Sequence, residues 1–182
     1  MGKPAIVAVD DDALVLSAVK RDLSSRYSDD YQILQATSGP EALDTLRELQ
    51  AAGDPAALLL ADQRMPGMTG VEFLSESRSV DPRARRVLLT AYADTNAAID
   101  AINRAGVSHY VLKPWDPPEQ RLFPVLDEEL DTWRADYRPP FEGIRVLGDR
   151  WSAETHRLKE FLAHNQVPYL AVDAQGKEGQ WL

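Results

Sequence analysis

Ala56-Ala57-Leu58-Leu59-Leu60-Ala61-Asp62 runs directly into Gln63-Arg64-Met65-Pro66-Gly67-Met68-Thr69-Gly70. A short unbroken apolar run that gives way to a Pro/Gly turn reads as a buried strand. It leaves one carboxylate at the strand's carboxyl end, where open α/β sheets collect ligands and chemistry. Other segments end in the same manner. Ile6-Val7-Ala8-Val9 leads into Asp10-Asp11-Asp12, Arg86-Val87-Leu88-Leu89 into Thr90, and Tyr110-Val111-Leu112 into Lys113-Pro114. A parallel sheet would bring these acids, the hydroxyl and the ammonium to one edge.

Crowded carboxylates repel one another and call for a cation or a raised pKa. With oxygen ligands and no cysteine, a hard ion such as Mg2+ suits them. A carboxylate can also accept a phosphoryl group as an aspartyl-phosphate. Lys113 would then supply a point charge to the phosphoryl oxygens and Thr90 a hydrogen bond.

The acidic pair after Val9, Asp62 with Met65-Pro66-Gly67, Leu89-Thr90-Ala91 and Lys113-Pro114-Trp115 stand in an order that resembles the receiver domain of bacterial two-component response regulators, over residues 5 to about 136. The resemblance implies an α/β, flavodoxin-like (βα)5 fold with a doubly wound parallel sheet of order 2-1-3-4-5. It makes Asp62 the phosphoacceptor, Asp11 a direct Mg2+ ligand, Asp10 a ligand through water, and the Arg64 backbone carbonyl a further ligand. It makes Thr90 and Lys113 phosphoryl-binding groups, Tyr110 the aromatic that switches with Thr90, and Lys113–Pro114 a cis peptide. A sensor histidine kinase or phosphotransfer protein is the implied phosphodonor. Arg64 and Tyr92, two residues after Asp62 and Thr90, are large enough to shield an acyl phosphate from water.

Composition narrows the alternatives. The chain has 182 residues, more than one ordinary domain and short for two. It has no stretch long enough to span a bilayer and no signal-peptide pattern in Met1-Gly2-Lys3-Pro4, so a cytoplasmic protein without a membrane partner is expected. The net charge of −9 argues against a nucleic-acid surface.

Along the chain, helices are expected over residues 13–26, from Ser38 to about Gln50, over 71–80, and over 94–105. The helix after Asp116-Pro117-Pro118 is longer than a receiver needs. Its Pro124 marks a kink or the first turn of its main part. The stripe Leu126, Leu130, Trp133 and Tyr137 reads equally as core against a second unit or as a dimer seam. Arg138-Pro139-Pro140 marks the boundary, giving a receiver over 1–138 and a second segment over 139–182.

That segment reads as a strand from Ile144, a helix ending at His164 with Leu158, Phe161 and Leu162 inward, and a strand from Tyr169. A lone βαβ unit cannot cover both faces of its strand pair. Val146-Leu147-Gly148-Asp149-Arg150-Trp151 and Val167-Pro168-Tyr169 give it a partial resemblance to a glutaredoxin/thioredoxin-like unit. Ser152 and Thr155 stand where the redox cysteines would be. The join through Pro139-Pro140 is similar to fusions of a receiver with a thioredoxin-reductase-like, flavin-dependent module.

Weighed singly, Asp10-Asp11-Asp12 would be a solvated helix start favoured by the macrodipole. His109, His156 and His164 read as structural, and Arg83, Arg85 and Arg86 as a solvated turn and strand edge. Taken together, the residues favour a phosphorylated receiver that switches the face of residues 94–105, 110–112 and the helix after Pro118, a face expected to control an attached redox-like module or to pair two copies as a homodimer. A phosphate-independent dimerisation scaffold is the alternative. An oxidoreductase is disfavoured by the absence of cysteine and of a dinucleotide motif.

Overall fold

The computed structural model describes residues 2–91, 106–137, 143–149 and 152–173. The expected helix over 94–105 lies outside them, as do Tyr92 and Arg138-Pro139-Pro140. The chain divides into two compact units, Met1–Tyr137 and Arg138–Leu182.

The first unit is built on a parallel sheet. Its strands are β1 (Ala5–Val9), β2 (Gln32–Ala36), β3 (Ala56–Asp62), β4 (Arg85–Thr90) and β5 (His109–Leu112), in the order β2-β1-β3-β4-β5. Helices α1 (Ala13–Tyr27), α2 (Gly39–Ala52) and α3 (Gly70–Val80) lie between the strands. After β5 come a single turn, α4 (Pro118–Arg121), and then α5 (Phe123–Asp136). This is the flavodoxin-like architecture that the resemblance implied. The helix expected after Pro118 is interrupted at Leu122, and Pro124 falls in the first turn of α5, where its missing N–H costs nothing.

Every residue of β1 and β3 is buried, because helices cover both sides of a parallel sheet. The strand period of two divides the apolar residues between two cores. Ile6, Ala8, Leu58, Leu60, Val87 and Leu89 pack with α1 and α5. Val7, Val9, Leu59, Ala61 and Leu88 pack with α2 and α3.

Local chemistry sets the helix ends. Asp12 caps α1 by accepting from the Leu14 and Val15 amides. Ser38 caps α2, while Glu41 reaches back past it to the Thr37 amide and hydroxyl. Gly53 ends α2 at φ 75°, a left-handed conformation suited to glycine. Thr69 and Glu72 form a reciprocal capping box on α3.

Two expectations are corrected here. The stripe Leu126, Leu130 and Trp133 is not a free seam. All three residues are buried in the first unit's own core, with Tyr137 packed on them and stacked on Trp133. Of the three arginines, Arg83 is exposed in the turn as expected, but Arg85 and Arg86, which open β4, are half-buried and buried. Arg86 is 4% exposed and donates to the Leu74, Ala84 and Asp81 carbonyls and to Ser77 Oγ. Burial lowers its pKa to about 10, which still leaves it charged at neutral pH. Arg85 pairs with Glu129 of α5 at 2.5 Å, and Arg83 lies over the Tyr137 ring.

The second unit is a parallel strand pair, β6 (Ile144–Gly148) and β7 (Tyr169–Asp173), joined by α6 (Ala153–His164). Val146, Leu162 and Val172 are buried. Leu158 and Phe161, expected inward, are 47% and 62% exposed. One helix has only one stripe to set against two strands, and Leu162 takes it. Among the described residues no helix is long and apolar enough to cross a membrane.

Candidate functional site

The register of the sheet delivers the candidate residues to one edge. Val9 lies beside Ala61, Asp62 beside Leu89, and Thr90 beside Leu112. The next residues out are Asp10 and Lys113. The Lys113 amide donates to the Thr90 carbonyl at 2.8 Å, and the Gln63 amide to the Leu89 carbonyl at 2.9 Å. These bonds extend strand pairing just past the strand ends.

At this edge the Lys113 ammonium bridges two carboxylates, at 2.7 Å from Asp10 Oδ2 and 2.5 Å from Asp62 Oδ1. Asp10 and Asp62 are 2% and 7% exposed. Asp10 Oδ1 accepts from the Asp12 amide at 2.9 Å, and Asp62 Oδ2 from the Arg64 amide at 2.7 Å. Burial works to lower the Lys113 pKa, but hydrogen bonds and charge from Asp10 and Asp62 outweigh it and hold the ammonium above its ordinary value.

Asp11 is exposed, and one carboxylate oxygen from each of Asp10, Asp11 and Asp62 lies within 4.8 Å of the others. Three carboxylates and one ammonium leave a formal charge of −2. That balance and an all-oxygen donor set fit a hard divalent cation. Receiver domains typically bind Mg2+ at such a cluster. The third acid, Asp12, is committed to capping α1, so the helix-start reading of the triplet holds for that residue.

Thr90 is buried at the edge, 6% exposed. Tyr110, opposite Leu88 on the neighbouring strand, is 46% exposed and lines an open groove with His109, Leu112 and Arg121. The Lys113–Pro114 peptide is cis, and so is Asp116–Pro117.

Several contributing residues carry no sequence signal of their own. Asp22, in the middle of α1, is 9% exposed and accepts from the Trp115 indole at 2.9 Å. Glu129, 3% exposed, takes Arg85 on one oxygen and His109 Nδ1 on the other. Gly70 opens α3 directly against the Asp62 backbone. Of these, only the Gly70 position, ending the Pro/Gly turn, was marked by its neighbours.

Comparison with known proteins places the chain in a family. Residues 6–122 match the response regulator receiver domain. The chain is 37% identical over 112 residues to the hydrogenase transcriptional regulatory protein HoxA of Cupriavidus necator, covering 62% of this chain and 21% of that protein. It is 28% identical over 118 residues to the chemotaxis protein CheY of Thermotoga maritima, covering 64% of this chain and 90% of that one. The signal receiver domain of an HD domain-containing protein from Pseudomonas fluorescens Pf-5 has a similar structure. Its TM-score is 0.63 at 26% identity, over 75% of this chain and 93% of that one. The chain spans only 21% and 27% of the length of the two HoxA proteins it matches. These matches concern the receiver and lend no support to a thioredoxin-like reading of residues 139–182. The chain belongs to the response regulator receiver domain family, signalling domains phosphorylated on an aspartate.

Proposed function

We propose that Asp62 is the phosphoacceptor, and that a sensor histidine kinase or phosphotransfer protein supplies the phosphoryl group. The observation that carries this reading is the Lys113 bridge between Asp10 and Asp62 at the carboxyl edge of the sheet. An Asp62 carboxylate oxygen attacks phosphorus, forming the acyl phosphate as the bond from phosphorus to the donor breaks and the donor keeps that electron pair. Lys113 already holds a cation against the acceptor, and its Nζ follows the charge onto the phosphoryl oxygens. The Thr90 hydroxyl supplies a neutral donor to the same oxygens.

Asp11, Asp62 and the Arg64 carbonyl would hold Mg2+ directly. Asp10 would act through water. When bound, the ion offsets the repulsion between the acceptor carboxylate and the incoming phosphoryl group.

The new charge biases the face that includes β5, where Tyr110 turns inward as Thr90 moves toward the phosphoryl oxygens. That face is the proposed route to an output, by docking, by dimerisation or by control of an attached module. The unit Arg138–Leu182 has no cysteine, so a binding role rather than thiol chemistry is proposed for it.

The test is incubation of the full chain with Mg2+ and acetyl phosphate, followed by intact mass and peptide mapping. A single phosphoryl adduct on Asp62, lost in Asp62→Asn, is expected. An unmodified chain would favour a phosphate-independent scaffold.

A further inference from the structure

Lys113 must stay between Asp10 and Asp62 although it sits where β5 gives way to a turn. What holds that turn is visible two residues on. Trp115 is 9% exposed and lies in the core that contains Leu16, Val19 and Leu23 of α1. Its indole Nε1 donates to Asp22 Oδ2 at 2.9 Å. Asp22 Oδ1 faces Arg21, whose side chain is 76% exposed and closes that oxygen from the solvent side. A neutral acceptor would satisfy an indole. A carboxylate gives a stronger, charge-assisted bond, at the cost of holding a charge in the middle of α1.

The contacts form a closed ring. Trp115 is joined through Pro114 to Lys113. Lys113 pairs with Asp10, Asp10 accepts from the Asp12 amide, and Asp12 caps α1. Ten residues along that helix, Asp22 returns to Trp115. Lys113 and Asp10 are thus tied to one rigid helix at two points, its cap and its middle. On the other side of the turn, Arg121 donates to the Pro114 carbonyl at 3.1 Å.

We propose that Asp22 and Trp115 are a positioning pair that sets Lys113 against Asp10 and Asp62, an assignment that rests on the phosphoacceptor reading above. Neither residue touches the reacting atoms. Their effect passes through Lys113.

The test uses the full chain and the variants Trp115→Phe, Asp22→Leu, Asp22→Asn, Lys113→Ala and Trp115→Phe/Lys113→Ala, each checked for native circular dichroism. Two quantities are measured: the initial rate of Asp62 phosphorylation by acetyl phosphate with Mg2+, and the rate of Lys113 acylation by acetic anhydride, read by peptide mass. Trp115→Phe should slow phosphorylation about tenfold, the size of coupling within one bonded network, and should speed acylation of Lys113. Asp22→Leu, which removes the acceptor instead of the donor, should do the same. Asp22→Asn, which keeps an acceptor for the indole, should lose less. In the Lys113→Ala background Trp115→Phe should add nothing, because the lysine it positions is gone.

Equal fractional losses in both backgrounds would mark a merely structural residue and overturn the proposal. So would unchanged Lys113 acylation in both Trp115→Phe and Asp22→Leu. If the unaltered chain takes no phosphoryl group, the phosphoacceptor reading fails, and Lys113 acylation still decides whether the pair positions the lysine.

Discussion

Gly70 lies against the backbone of Asp62: a Cβ on Gly70 would stand 2.1 Å from the Asp62 carbonyl oxygen and 2.9 Å from its carbonyl carbon. The first turn of α3 therefore approaches the proposed acceptor more closely than any side chain permits. The Gly70 amide also donates to the Gln63 carbonyl at 3.2 Å, which closes the loop between β3 and α3. This glycine is required by space and not by an unusual φ.

Gly70→Ala should therefore act on stability and site together. Neither obstructing atom belongs to a flexible side chain, so α3 or the end of β3 must shift. A loss of about 1–3 kcal/mol is expected from overpacking of this kind, with slower Asp62 phosphorylation in the fraction that remains folded. Denaturant unfolding and the acetyl phosphate assay measure the two effects. Unchanged values in both would show that the loop has room to spare.

Asp11→Asn should separate metal binding from folding. Asp11 is exposed and belongs to the carboxylate cluster, so its charge repels Asp10 and Asp62 when no cation is present. Removing it should leave stability without Mg2+ unchanged or slightly higher, within about 0.5 kcal/mol. It should weaken Mg2+ binding and abolish Mg2+-dependent phosphorylation. Calorimetric titration with Mg2+ and thermal unfolding with and without the ion provide the check. Full phosphorylation of Asp11→Asn would remove this residue from the metal set.

The edge bearing Asp10, Asp62, Thr90 and Lys113 was legible because each residue follows an apolar run, and a buried parallel strand is recorded locally in sequence. Buried charges are not recorded that way. Arg86 reads as one of several arginines near a turn. Its partners are carbonyls at Leu74, Asp81 and Ala84, which nothing in the side-chain pattern announces. Asp22 and Glu129 interrupt helical stripes and look like solvent positions until Trp115 and Arg85 arrive from distant segments. The stripe Leu126, Leu130 and Trp133 was visible as apolar, but periodicity does not say which surface it meets. Here it meets the sheet of its own unit.

Arg86→Leu should be costly and Arg86→Lys should not rescue it. The guanidinium serves three carbonyls and a hydroxyl at once. Leucine withdraws all four hydrogen bonds from buried acceptors, of which the Leu74 carbonyl keeps its bond from Ser77 Oγ, at about 2–4 kcal/mol. Lysine brings a point charge with a different donor geometry. Urea unfolding of both variants is the measurement, and a loss below 0.5 kcal/mol in Arg86→Lys would show that the planar fork is not needed.

Glu129 should give the protein a component of acid sensitivity. Burial alone would raise its pKa, but hydrogen bonds from Arg85 and His109 and the Arg85 charge outweigh burial and hold it below the ordinary 4.5. A carboxylate lowered by folding contributes stability that is fully present above its unfolded pKa. The contribution is lost as pH falls through the folded value. Glu129→Gln should cost about 1–3 kcal/mol at pH 7 and should flatten the fall in stability below pH 4.5. Unfolding free energies of both proteins from pH 7 down to the acid transition provide the comparison, and parallel curves would assign the acid sensitivity to other carboxylates.

Trp133→Ala distinguishes a core helix from an assembly surface. Trp133 is 4% exposed, sits edge-on to Tyr31 with ring centroids 6.5 Å apart, and stacks on Tyr137 at 4.4 Å. Truncating a buried tryptophan costs about 3–5 kcal/mol, so the first effect should be loss of stability in the receiver unit. Hydrogen exchange along residues 118–137 should rise even without phosphorylation. Sedimentation of the folded fraction should match that of the unaltered chain, with and without beryllofluoride as the phosphoryl mimic. If Trp133→Ala instead kept full stability and changed only the assembly state, α5 would have to expose this residue in solution, and the packing of Leu126, Leu130 and Trp133 on the sheet would be the wrong account of the helix.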